Sequence, residues 1–186
     1  AMRPDPENEV PADMKPSAGT RCAEGSPQGS SARASIQNKP SPGRFTDAIR
    51  RGFAVFPLPP RSKKPDAAWE HYRDNPVTLE QAAELDKTDK NVAVITGTPS
   101  GIFVLDLDGR DAEQIARDKG WLIPTLTVQT GRGKHLYFKL PGFKIGNKAG
   151  IAEHVDIRGE GGYVVGAGSV HPDGHLYEVI GDVEPA

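Results

Sequence analysis

Two periods of apolar and polar residues alternate along this chain, and the switches between them mark its elements. FTDAIRRGFAVFPL opens as a short amphipathic helix, stopped by Gly52, and continues as a strand over residues 53–56. PPRSKKP, with its prolines and paired lysines, is a loop. TLEQAAELDK carries Thr78 and, three residues on, Gln81, the capping-box spacing of a helix start. NVAVITG reads as a strand, TPSG as a turn and GIFVLDLDG as a second strand. DAEQIARDKG is a further helix, with Asp111 as its expected N-cap and Gly120 at its end. LTVQT and KHLYFKL are strands joined by the glycine turn GRG. HVDIRG, GGYVVGAGSV and LYEVIG are short strands, the last two joined by HPDGH. Helices first alternate with strands, and then strands follow one another. That order predicts an α/β (α+β) fold, a small α/β unit fused to a largely antiparallel sheet.

The first 43 residues break this pattern. They hold seven of the seventeen prolines and no aromatic residue, too little apolar surface to offset ordering entropy. Residues 1–43 are therefore expected to form a flexible tail, and residues 44–186 a folded domain. Ala1 before Met2 reads as a cloning remnant and the chain as a piece of a longer protein. Net charge is −2, so any nucleic-acid contact must be local rather than a global basic field. One cysteine, Cys22, can form neither an internal disulfide nor a cysteine zinc site. No apolar run nears the ~20 residues that cross a bilayer, and no signal-peptide core is present. The expectation is a cytoplasmic protein with no membrane partner.

Three strands carry polar residues on one face. In DLD, Asp106 and Asp108 point the same way and Leu107 the other. Like charges so close are costly, and one pKa rises unless a cation lies between them. The pair is either a solvated strand end or a divalent-metal site. In KHLYFKL, His135, Tyr137 and Lys139 share a face, and in HVDIR, His154, Asp156 and Arg158 do. Together these strands supply hard oxygen ligands that suit Mg²⁺ or Mn²⁺, with cations for a phosphate. Gly131 and Gly133 allow close backbone approach, and Arg132 and Lys134 can reach phosphate oxygens, although the turn also reads as an ordinary glycine hairpin. His171 and His175 bracket PDG and could pair on zinc, but no cysteine lies near.

The order DLD, GRGKH, VDIRGEGGYVVGAGS resembles the three motifs of the bifunctional primase–polymerase domain of the archaeo-eukaryotic primase superfamily, found in replication proteins of phages, plasmids and related mobile elements. FAVFPLPPRSKKP and NVAVITGTPSG match the family's usual run, and the resemblance covers about residues 45–180. It implies an RRM-like sheet and template-dependent nucleotidyl transfer, as DNA polymerase and primase. It implies a two-metal site for Mg²⁺ or Mn²⁺ at Asp106, Asp108 and Asp156, and a catalytic role for His135 at the phosphates of the incoming nucleotide. Many members carry serine where Gly133 stands. Lys63 and Lys64 match a recurrent lysine of the family, while Arg132, Lys134 and Arg158 are nucleotide-binding candidates by charge and position. The implied partners are single-stranded or primed DNA, nucleoside triphosphates and a helicase or other replication domain in the full-length protein.

Two other readings compete. VLDLDG also resembles the nucleophile motif of haloacid-dehalogenase-type phosphatases, in which the first aspartate attacks phosphate. That motif opens its domain and continues into threonine or valine; here a strand precedes it and Arg110 follows. The other is a non-catalytic nucleic-acid-binding module of a replication protein, against which the weak overall charge argues.

Overall fold

Gly43, at φ 76°, turns the chain into α1 (Arg44–Arg50), whose first side chain is buried. The Arg44 guanidinium donates to the carbonyl oxygens of Ser41, Leu85, Asp86, Thr88 and Lys90, the closest being Lys90 at 2.7 Å. Several of these close the end of α2 (Leu79–Leu85), where carbonyls lack intrahelical donors. Asp86 answers in kind. Its carboxylate accepts the Phe45 and Thr46 N–H groups at 2.8 and 3.2 Å, so it caps α1 from 40 residues away. The start of α2 is local: Thr78 and Gln81 form the capping box the sequence predicts.

The computed structural model describes residues 39–180 and 183–186. Residues 1–38 of the expected tail lie outside them. Ser41 is held to the domain, its N–H donating to Gly168 O at 2.8 Å.

The strands are β1 (Val55–Leu58), β2 (Asn91–Ile95), β3 (Ile102–Leu107), β4 (Thr127–Gln129) and β5 (Lys134–Lys139), then β6 (Lys148–Ala152), β7 (Val155–Arg158), β8 (Tyr163–Val165) and β9 (Glu178–Val179). A 3₁₀ turn (Glu70–Arg73) precedes α2, and α3 (Arg110–Asp118) follows β3. They build a three-stranded sheet, β1-β2-β8, and a six-stranded sheet, β6-β7-β3-β5-β4-β9. Every named strand pair is antiparallel, an α+β fold.

Alternation on β3 divides the core. Ile102 and Val104, with Tyr137 and Val128, join Phe56, Val94 and Val164 of the smaller sheet in one apolar cluster. Leu105 and Leu107, with Leu136 and Val155, meet Ala112 and Ala116 of α3 in a second. Asp106 therefore faces the smaller sheet, and α3 covers the opposite face.

Several expectations shift. The first strand is β1, two residues later than residues 53–56, with Pro57 on an edge strand where no ladder N–H is needed. The N-cap of α3 is Gly109, at φ 96°, rather than Asp111. The reason is that β7 follows β3 past its end, Asp108 N–H donating to His154 O at 2.9 Å, and the chain turns at once. Asp111 lies in the first helical turn, where its charge complements the helix dipole. Strand β6 was not expected from sequence. Its hairpin with β7 turns at His154, whose φ of 58° takes it out of the strand and off the face of Asp156 and Arg158.

Candidate active site

Antiparallel register sets the acids in a row. Asp106, near the end of β3, is paired with His135 of β5 on one side and Asp156 of β7 on the other. His135 Nε2 lies 3.4 Å from Asp106 Oδ1. Arg158 Nη2 lies 2.8 Å from Asp156 Oδ2 and 3.5 Å from Asp106 Oδ2, so one guanidinium bridges both carboxylates. Burial pushes the Asp106 carboxyl up, but the hydrogen bond and charge of His135, then Arg158, outweigh it and hold it below the usual carboxylate range. Asp106 is thus flanked by His135 on one side and, on the other, by the Arg158 guanidinium it shares with Asp156.

Asp106 opens on a cavity of about 430 Å³ between the two sheets, lined also by Asp108, His135, Arg158, Lys63 and Lys64. Six of the residues singled out in the sequence meet there. Asp108 lies past the end of β3 and is exposed. Neither lysine ammonium has an ion-pair partner among the described residues. His135 is 6% exposed, and its Nδ1 is a buried nitrogen without a hydrogen-bond partner. Asp156 stands beside Asp106 but has both oxygens engaged, Oδ2 by Arg158 and Oδ1 by the Gly150 N–H at 2.8 Å.

The turn residues behave differently. Arg132 is exposed at the tip of GRG and does not line the cavity. Lys134 faces away from His135, toward α3, where its Nζ meets Glu113 Oε1 at 2.7 Å. The structure brings neither into the cavity. Gly133 is needed for contact: a Cβ there would overlap Leu107 O and come within 2.9 Å of Gly109 N. No side chain has room at this position without a shift of that backbone.

His171 and His175 do converge, but on a carboxylate. Their Nδ1 atoms lie 2.6 and 2.9 Å from Asp173 Oδ1. This turn packs on the GRG turn, where a Cβ on Gly131 would come within 3.3 Å of Asp173 and His171. Tyr177, which links the two regions with its ring 5.9 Å from those of both His135 and His171, went unnoticed in the sequence, as did Trp69 and Tyr163 on the cavity wall. Apolar rings in strands and loops read as core, so no sequence signal separated them.

The sequence profile of the Prim-Pol family, bifunctional DNA primase/polymerase, N-terminal, matches residues 46–186. The chain belongs to this family. A comparison with curated proteins gives no match. The family's activity is in general nucleotidyl transfer in DNA replication, and the row of Asp106, His135 and Asp156 falls within the matched span of this prim-pol domain. DLDG lies there at the end of β3, the third strand among the described residues, not at the opening of a domain as in the phosphatase motif.

Among the described residues, no group of three or more His, Cys, Asp or Glu side chains is gathered to hold a metal ion. Mg²⁺ commonly binds through one or two carboxylates and takes its remaining ligands from water and substrate phosphates. Asp106 and Asp108, hard donors on one cavity, fit that pattern. Among the described residues, no helix is long and apolar enough to cross a membrane.

Proposed function

We propose that this prim-pol domain extends or starts a DNA-templated strand from nucleoside triphosphates, in the replication of a phage, plasmid or similar element. The observation that carries the reading is the cross-strand row of His135, Asp106 and Asp156 beside a cavity that also holds Asp108, Lys63 and Lys64. Asp106 and Asp108 are the residues that would hold Mg²⁺ or Mn²⁺, with Asp156 beside them as a third carboxylate if Arg158 and the Gly150 N–H release it. The chemistry such ions supply is activation of the 3′-hydroxyl and neutralisation of the departing pyrophosphate. The protein's own part is alignment. Lys63, Lys64 and Arg158 supply the cations for the triphosphate, and His135, on the same cavity wall, holds Asp106 from one side beside the phosphates. The primed template is single-stranded DNA beyond the cavity, and a helicase or other replication domain is the partner in the full-length protein.

Primer extension on a single-stranded template, with Mg²⁺ or Mn²⁺ and with ribo- or deoxynucleotides in turn, tests this. Metal-dependent extension that disappears in Asp106→Ala is the expected result. Tight, metal-independent DNA binding with no incorporation from either nucleotide set would overturn it in favour of a binding module.

A further inference from the structure

The cavity wall opposite the carboxylates is aromatic, and the proposed reaction has so far given it no role. Trp69 stands just before the 3₁₀ turn, in a segment otherwise rich in charge and proline. Its ring stacks on the fully buried Phe56, with centroids 4.9 Å apart and planes at 13°. Tyr163 of β8 meets the indole edge-on at 5.1 Å, and its hydroxyl donates to Lys63 O at 3.1 Å. One tyrosine thus fixes both the aromatic wall and the lysine loop. Trp69 remains half-buried, and both it and Tyr163 line the cavity of Asp106 and Asp108. A residue needed only for the core would gain from full burial, as Phe56 shows.

We propose that Trp69, backed by Phe56 and flanked by Tyr163, is the platform on which the base of the incoming nucleoside triphosphate stacks; this rests on the nucleotidyl-transfer reading above. The cavity presents one chemistry for each part of such a ligand. Unpaired ammonium groups suit the phosphates, the two aspartates suit the metal that accompanies them, and a flat π-surface suits the base. Stacking is also the right kind of contact for a templated enzyme. Every base has a π-face, so the platform accepts all four and leaves discrimination to the template. A single nucleotide is the occupant rather than a strand. A cavity of about 430 Å³ has the size of a small-ligand site, whereas a strand is tracked by a continuous basic groove.

The test uses fluorescence. Trp121, the other of the two tryptophans, lies by Lys119 and the apolar cluster under α3, away from the cavity. In Trp121→Phe protein, Trp69 is then the sole reporter. Each nucleoside triphosphate with Mg²⁺ should quench it saturably, whichever the base, while inorganic tripolyphosphate with Mg²⁺ should not. In primer extension, Trp69→Ala should raise the nucleotide KM about tenfold or more, and Trp69→Phe by no more than about threefold. If Trp69→Ala fails to fold, the quench decides alone. Equal quench by tripolyphosphate, or none at nucleotide concentrations that support extension, overturns the platform. Quench by a single-stranded oligonucleotide but not by mononucleotides overturns it too, assigning the ring to the template. Normal KM in folded Trp69→Ala sinks the platform and leaves the polymerase reading standing. Absence of both calorimetric nucleotide binding and extension sinks both.

Discussion

Asp106 and His135 are direct cross-strand partners, with the imidazole Nε2 3.4 Å from the carboxylate and Nδ1 buried without a partner. The histidine therefore has one nitrogen committed to the acid and one left over. Losing a hydrogen bond to a charged group costs about 1.5–3 kcal/mol. His135→Ala should accordingly lower incorporation efficiency about ten- to hundredfold in a nucleotide titration of primer extension. Efficiency within about twofold of wild type would remove His135 from the site.

The two aspartates of DLD should differ in stability and agree in activity. Asp106 is held by His135 and Arg158, whereas Asp108 is exposed. Asp106→Ala takes from His135 and Arg158 the carboxylate they share and should lower stability by about 1–3 kcal/mol. Asp108→Ala should stay within about 0.5 kcal/mol of wild type. Both should abolish primer extension. Thermal unfolding beside extension assays checks the pair, and an Asp106→Ala protein with a raised Tm would contradict the bridging role of Arg158.

Gly133 should tolerate no side chain. Its Cβ would press on the backbone of Leu107 and Gly109, which cannot give way as a flexible side chain could. Gly133→Ala should cost about 1–3 kcal/mol by overpacking. Gly146, with nothing within 4 Å of its Cβ position, is the control, and Gly146→Ala should lie within about 0.5 kcal/mol of wild type. Chemical denaturation of both variants measures the contrast.

Asp173 makes the turn beside GRG sensitive to acid. Desolvation pushes its carboxyl up, but hydrogen bonds from the His175 ring and backbone, then from His171, pull it well below the usual carboxylate range. A carboxyl with a depressed folded pKa stabilises the fold above its unfolded value, near ~3.9, and that contribution is lost as pH falls toward the folded value. Asp173→Asn should thus have a lower Tm than wild type at neutral pH, with the gap narrowing as pH drops below about 4. A gap that is constant across the acid range would refute the ionic role.

How much of this was legible beforehand depends on the range of the interaction concerned. The capping box of Thr78 and Gln81, the GRG hairpin and the common direction of Asp106 and Asp108, which line one cavity, are local, set by spacings of two to four residues, and all appear as read. Family membership was legible too, because the order of the three motifs survives in the chain itself. Tertiary structure alone decided which strands are neighbours. β2 and β3 are consecutive and similar in character, yet they enter different sheets, and Asp156 reaches Asp106 only because β7 pairs with β3 across 50 residues. The same pairing placed Arg158 between the carboxylates, and the covering of one face by α3 drew Lys134 to Glu113 and away from the cavity. The mutual capping of Arg44 and Asp86 is of this kind as well. Periodicity states which way a side chain points relative to its own strand; what it points at is set by register and packing, which depend on residues far away in the chain.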